Sequence, residues 1–342
     1  MATIKEVAKK SGVSVGTVSA VLRGESWVTE DTRRKVLRVV RELNYRPNPL
    51  ARSLRTQKTG VIGLVVTDIT NPFFSLIVRA VENYLRKYNF NIILCDTNED
   101  YAIGTDVVRV LIDRMVEGII LVGDVLPEEE LEEVINTTHV PIVAVERDYG
   151  SIYELSMVLV DSVKGGYIAT RHLLNLGYRD IAIVTGPIES ERNYSSIGRL
   201  EGYKEALREE GIELKPEFIV KSDFTFNGGY TSVKAFLERG YKPRAIFASN
   251  DLMAIGAMVA IKEKGFRIPD EIAVVGYDDT PEASFTEPPL TTVHLSMEEL
   301  GTQAARFVVE SIKDRDFVPR KYILPVDIVI RESCGAFKIK GK

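Results

Sequence analysis

From Gly60 onward the chain alternates short apolar runs with amphipathic stretches. VIGLVV at 61–66, NIILC at 91–95, GIILV at 118–122 and PIVAV at 141–145 are short and rich in β-branched residues, so they read as strands buried on both faces. After the first of them comes FSLIVRAVENYLRKYN, whose apolar positions recur at intervals of three and four, as one face of a helix requires. A second series follows: DIAIVT at 180–185, EFIV at 217–220, RAIFAS at 244–249 and EIAVVG at 271–276. Strand, helix, strand in succession predicts a doubly wound parallel sheet, and the repetition predicts two of them. Ligands of such sheets sit beyond the carboxyl ends of the strands, which places a candidate cleft between the two.

The first 45 residues follow a helical period instead. Thr3-Ile4-Lys5-Glu6 has capping-box spacing, and Ile4, Val7 and Ala8 continue it, predicting a helix to about Ser11 that Gly12 ends. Val13 fills the turn, Ser14 caps a second helix with an apolar stripe of Val15, Val18, Val21 and Leu22, and a third helix begins after Thr29 and carries Val36, Leu37, Val40 and Leu43. Helix, glycine turn and helix predict a helix-turn-helix, whose second helix enters the major groove by its N-terminal residues. The candidate DNA contacts are Val15, Gly16 and Thr17, Ala20 one turn later, and the hydroxyls of Thr3, Ser14 and Ser19. None is a strong base reader: valine touches a thymine methyl, glycine permits close approach and Thr17 bonds to phosphate or a base. Residues 48–56, NPLARSLRT, then place a cap-like Asn48 and Pro49 before Leu50 and Leu54, with Arg52 and Arg55. A helix of one or two turns is unstable alone, so something outside the segment must hold it.

Charge sharpens the division between the two patterns. The net charge of −5 hides 13 basic against 5 acidic residues in 1–59, net +8, and 31 against 44 in the remainder, net −13. The basic end is suited to a polyanion and the acidic body suppresses indiscriminate adhesion. A length of 342 residues with 45% hydrophobic content allows two or three domains. There is no apolar run of 18 residues, and MATIKEVAKK lacks a signal-peptide core, so a cytoplasmic location is expected. Cys95 and Cys334 form neither a disulfide framework nor a metal-ligand spacing. No G-x-G-x-x-G follows a strand, there is no phosphate loop, and His139, His172 and His294 stand in no metal motif. Asp278 and Asp279 are adjacent and point apart, which argues against an acid/base pair. The expectation is a non-enzyme without cofactor or metal. The alternative is a sugar-binding or sugar-modifying protein without DNA function, which would share the body and lack the basic three-helix head.

The strand ends of the body collect polar and aromatic groups. Asp68, Asn71, Phe73 and Phe74 follow 61–66, Glu146 follows 141–145, Arg192 and Arg199 follow 180–185, Phe224 follows 217–220, Asn250 and Asp251 follow 244–249, and Asp278 follows 271–276. Carboxylate and guanidinium partners between flat aromatic walls suit a hydroxylated ring such as a sugar. Arg192 would also admit a sugar acid, a phosphosugar or a purine.

TIKEVAKKSGVSVGTVSAVLRG followed by YRPNPLARSLRT closely resembles the DNA-binding headpiece and hinge of the lactose-repressor/galactose-repressor family of bacterial regulators. ITNPFF (69–74), IGRLEGY (197–203), ASNDLMAIGAM (248–258) and VVGYDDT (274–280) are similar to motifs of that family's effector-binding core, so the likeness spans essentially the whole chain. It implies an all-α helix-turn-helix headpiece and an α/β periplasmic-binding-protein-like core of two doubly wound parallel-sheet subdomains. The implied divisions are a headpiece at 1–46, a hinge helix and linker at 47–59, an N-subdomain of 60–161 plus about 291–324, and a C-subdomain of 162–290 plus about 325–340. The resemblance further implies a homodimeric repressor on a near-palindromic operator, controlled by a small-molecule effector. In it the hinges of two subunits pair in the minor groove, Leu54 wedges between base pairs, Ala51 allows close approach, and Asn48 and Arg55 lie at the DNA. Phe74, Glu146, Arg199, Phe224, Asn250 and Asp278 match residues that line the family's effector pocket. Ala20 stands where members frequently carry arginine, and Glu146 where aspartate is common.

Overall fold

The computed structural model describes residues 2–45, 58–150, 152–188, 194–314 and 316–339. The hinge residues Asn48, Ala51, Arg52, Leu54 and Arg55, and Arg192 of the body, lie outside them. The chain divides into two compact units, 1–59 and 60–342.

In the first unit, α1 (Ile4–Ser11), α2 (Val15–Arg23) and α3 (Glu30–Glu42) enclose a core of Val7, Ala8, Val18, Ala20, Val21, Val28, Val36 and Val39. Thr3 and Glu6 form the capping box that starts α1, and Gly12 ends it at a left-handed φ of 65°, a conformation glycine adopts without a Cβ penalty. Two predicted details differ. Val15 is exposed rather than part of the apolar stripe, because it occupies the first position of α2 on the side away from α1 and α3. Ala20 is fully buried in the core.

The second unit contains two six-stranded sheets. In the first, β1 (Val61–Val66), β2 (Asn91–Asp96), β3 (Gly118–Val122), β4 (Ile142–Val145), β5 (Ser156–Val160) and β11 (Lys321–Leu324) are all parallel, in the order β11-β5-β4-β3-β1-β2. The connecting helices are α4 (Pro72–Arg86), α5 (Tyr101–Asp113) and α6 (Glu128–Thr137). In the second sheet, β6 (Ile181–Thr185), β7 (Ile219–Lys221), β8 (Ala245–Ala248), β9 (Ala273–Asp278), β10 (Thr291–His294) and β12 (Asp327–Val329) are ordered β12-β10-β9-β8-β6-β7, and only β12 runs antiparallel. Its helices are α7 (Ser162–Asn175), α8 (Tyr194–Glu209), α9 (Phe226–Glu238) and α10 (Asp251–Glu263). Helix α11 (Met297–Lys313) packs with α4 beside the first sheet, and α12 (Ala336–Ile339) ends the described chain.

Parallel pairing keeps the carboxyl ends of neighbouring strands level: Val66 lies opposite Asp96 and Val122, and Val122 opposite Val145. Every loop after these strands therefore opens at one edge of its sheet. The chain passes between sheets after Val160, after His294 and after Leu324. The middle passage differs from the expected division at 291, because Thr291–His294 pair with Val275–Asp278 and so belong to the second sheet. The strands at 156–160, 321–324 and 327–329 were not among the apolar runs singled out, being short or carrying Ser156, Lys321 and Asp327. Cys95, on edge strand β2, is half-buried and free. No described helix is long and apolar enough to cross a membrane.

Candidate functional site

On the headpiece, Ser14 caps α2 by accepting from Thr17 N at 3.0 Å, and its hydroxyl lies 2.9 Å from that of Thr17. The first turn of α2 contains no acidic residue, so its positive dipole end and free N–H groups are open to an anion such as phosphate. Ser14, Val15 and Gly16 are exposed and Thr17 is half-buried. Ser19 Oγ accepts from Arg23 Nη1 at 2.7 Å, which orients that guanidinium beside Glu25. Thr3 is exposed, and its N–H donates to Glu6 at 2.7 Å. Ala20 must be withdrawn as a base contact: its methyl is enclosed by the headpiece core and reaches nothing outside it.

In the body, the loops after the strands of both sheets line one cavity of about 690 Å³, within the range of small-molecule sites. Asp68, Asn71, Phe73, Phe74, Glu146, Arg199, Phe224, Asn250 and Asp278 all line it; of the described residues singled out from strand ends only Asp251 does not, because it is fully buried behind the lining. At its centre the Arg199 guanidinium donates to Ser249 O at 2.6 Å, lies 3.7 Å from Glu146 and sits 3.8 Å from the ring centroid of Tyr277. Glu146 also accepts from Ser195 Oγ at 3.0 Å. Asn250 caps α10 through Met253 N and donates to Phe224 O at 2.8 Å, fixing the loop that presents the Phe224 ring.

Two glycines set these side chains. A Cβ on Gly166 of α7 would lie 2.1 Å from Arg199 O, so α7 and α8 pack backbone to backbone and hold Arg199 in place. A Cβ on Gly186 would lie 2.2 Å from the Phe224 ring, which rests on the bare backbone there. Glu99, Glu146, Phe224 and Asp278 line the cavity with positive φ of 61°, 63°, 64° and 109°. Such conformations cost roughly 1–3 kcal/mol each and collect at functional sites.

Burial dominates the electrostatics. It pushes the Asp278 carboxyl well above its usual range, against the pull of Arg199 and with the help of Asp251 and Glu146. It raises Glu146 too, opposed by Arg199 and Ser195. Burial disfavours the charge on Arg199, but Tyr277, Asp278 and Glu146 outweigh it and its pKa rises. The guanidinium therefore stays charged, and the carboxylates around it do not all ionise together. Asp251, at the start of α10, is fully buried outside the lining and is pushed up to about 7 by burial, although it accepts from Thr292 Oγ1 at 2.6 Å and Thr280 N at 2.8 Å.

Sequence reasoning missed other lining groups, including Glu99, Tyr101, Asp124, Arg147, Tyr194 and Asp223. Tyr101 donates to Asp124, and Arg147 pairs with Asp124 at 3.4 Å. All follow strands, so the strand-end rule could have found them had it been applied to the loops after β2 and β3 and to whole loops elsewhere.

Comparison with known proteins adds an independent finding. Residues 3–48 match the description "Bacterial regulatory proteins, lacI family", and 170–334 match "Periplasmic binding protein-like domain". The chain is 36% identical over 339 residues to the ribose operon repressor of Haemophilus influenzae, covering 99% of this chain and 100% of that one. It is 37% identical over 334 residues to the HTH-type transcriptional repressor PurR of Vibrio atlanticus, covering 97% and 98%. A crystal structure of the lac repressor dimer bound to operator and the anti-inducer ONPF superposes with a TM-score of 0.83 at 27% identity, over 97% of this chain and 99% of that one.

Proposed function

Because this chain belongs to the lacI family of bacterial regulatory proteins, we propose that it acts in the cytoplasm as a homodimeric repressor whose operator affinity is set by a neutral sugar bound in the cavity of its body. It is a transcription regulator and not an enzyme, as its full-length relatives are repressors. The α2 N-termini of two headpieces would meet successive half-sites of a near-palindromic operator through Ser14, Val15, Gly16 and Thr17, with Thr3 and Ser19 at the phosphates. Between them Asn48, Ala51, Leu54 and Arg55 of the paired hinges would enter the minor groove, where an apolar wedge offsets unstacking by bending the duplex onto more protein.

The observation that carries the effector reading is the buried Arg199 guanidinium with Glu146, Asn250 and Asp278 in a cavity that Phe74 and Phe224 also line. Paired charges and an amide reward hydroxyl groups that both donate and accept, and they leave the flat faces of a ring to the aromatics. Charge selects further. The described lining holds Asp68, Glu99, Asp124, Glu146, Asp223 and Asp278 against Arg147 and Arg199, an acidic balance that opposes phosphosugars and sugar acids. A relative is a ribose operon repressor, which accords with this choice.

Subdomain divisions at 161, 294 and 325 would let the two sheets rotate on sugar binding and move the hinge attachments. Edge strand β2 leaves Leu94 40% exposed, and Val259 and Phe285 are 43% and 85% exposed; a second copy would cover such surfaces. Isothermal titration calorimetry of D-ribose, disaccharides, ribose 5-phosphate and purine bases tests the effector reading. Binding of a neutral sugar with tenfold or greater preference over its phosphate is expected, about 1.4 kcal/mol. Binding of purines alone would replace the sugar with a purine.

A further inference from the structure

The cavity carboxylate Asp278 is followed by Asp279, and both have positive φ, 109° and 58°. Two consecutive non-glycine residues in such conformations persist only when their surroundings hold them. Asp278 faces the cavity. Asp279 makes contacts of a different kind: its Oδ1 accepts from Arg331 Nη2 at 2.6 Å and its Oδ2 lies 2.9 Å from His294 Nδ1. A carboxylate oxygen only accepts, so that nitrogen carries the hydrogen.

The two partners stand where the chain changes sheets. His294 is the last residue of β10, directly before the passage to α11, and it pairs with Asp327, the first residue of β12 after the chain returns. Arg331 lies just past β12 and ties itself back to the start of β10, its Nη1 donating to Leu290 O at 2.8 Å and its N to Thr291 Oγ1 at 2.9 Å. The backbone of the same turn is pinned from below: Asp279 N donates to Thr292 Oγ1 at 3.3 Å, while Thr292 Oγ1 and Thr280 N donate to Asp251. Asp279 and Arg331 are mostly buried, with side-chain exposures of 15% and 21%, which makes their charge-assisted bonds stronger than an exposed ion pair.

We propose that Asp279 is a positioning residue for effector control: its carboxylate clamps the turn that aims Asp278 to both strands, β10 and β12, through which the chain leaves and re-enters the second sheet. A sugar that draws on Asp278 thereby pulls on the passages at 295–297 and 325–326. This deepens the proposed function, resting on the assignment of the cavity as the effector site, and it names the charge-assisted contacts by which the site reaches the sheet rotation.

The test uses the full-length chain with Asp279→Gly, which removes the carboxylate while keeping a positive φ free of strain. Amide hydrogen exchange without ligand should quicken about fivefold or more in peptides spanning 295–297 and 325–328, with β1 unchanged. Arg331→Met should produce the same pattern, the double variant should add little more, and Arg331→Lys should restore most of the protection. In a second arm, operator duplex selected from random sequence with the wild type is titrated with and without saturating D-ribose. The ratio of the two affinities should collapse to within about twofold of one in Asp279→Gly. Acceleration confined to 278–280, or spread evenly over the body, would overturn the clamp, as would an unchanged affinity ratio. If the wild type fails to bind D-ribose, ribose is excluded as the effector, and the exchange arm still decides the clamp.

Discussion

The headpiece and the body solve opposite problems. The first encloses a core of eight buried residues, six of them valines, with helices that start and stop on local caps. The second buries the apolar side chains of two six-stranded sheets and holds in its cavity a charged guanidinium beside carboxylates. A small core supplies little stability in excess of chain entropy, which suits a unit completed by its partner DNA. A large one tolerates strained backbone and buried charge, and so can keep a ligand site poised. On the proposed function, recognition of DNA is assembled on binding, whereas recognition of the effector is built in.

Arg199→Met tests that contrast most severely. It keeps the volume and removes the cation that pairs with Glu146 beside Asp278, so sugar affinity should fall by more than about a hundredfold, roughly 2.7 kcal/mol, with operator affinity in the absence of sugar nearly unchanged. Calorimetry and the fluorescence of Trp27, 67% exposed on the headpiece, read the two separately. An equal loss in both would join what the account keeps apart.

Asp251 sets the next largest effect. Its carboxyl ionises near 3.8 in an unfolded chain and at about 7 when buried, so the folded body binds the extra proton between those values. Stability from this group is therefore full below about pH 4 and falls as pH rises to about 7, by an amount on the order of a few kcal/mol. Thermal melts of Asp251→Asn should lack this loss, and a wild-type-minus-variant difference that stays flat from pH 4 to 7 would remove Asp251 from the account.

Ala20→Arg probes the headpiece core at about 1–3 kcal/mol, the cost of overpacking. The variant should lower the headpiece melting temperature, read by Trp27, without raising operator affinity. Leu54→Ala is smaller, a weakening of operator binding by roughly tenfold, about 1.4 kcal/mol, with sugar affinity intact. An unchanged operator titration would leave the wedge without support.

Much of this contrast was legible in residue order, for reasons that differ between the units. The headpiece helices were readable because capping box, glycine turn and apolar spacing are local signals at Thr3, Gly12 and Ser14. Besides Val15, which is exposed at the start of α2, Ala20 was misplaced because a small residue fits either a core or a groove, and only packing decides. In the body, β-branched runs marked β1, β3, β4, β6, β8 and β9, whereas the interior strands β5 and β10 carry Ser156, Thr291 and Thr292 and escaped. Edge strands β11 and β12 escaped because exposure lets Lys321 and Asp327 interrupt the pattern. The cavity could be collected from strand ends, since parallel pairing levels them, but Glu99 and Asp124 were passed over, as a loop carboxylate looks the same whether it caps a helix or lines a site. The return at 295 rather than 291 depended on a pairing between distant strands that no local period records.

The account stands most directly on one titration. Operator duplex is bound by the full-length chain, followed through Trp27, with and without the sugar that calorimetry shows to occupy the cavity, in the wild type and in Asp278→Asn. An operator affinity that shifts tenfold or more with sugar in the wild type, and does not shift in the variant, is the predicted result. Sugar that fills the cavity of the wild type and leaves operator affinity unmoved would contradict it.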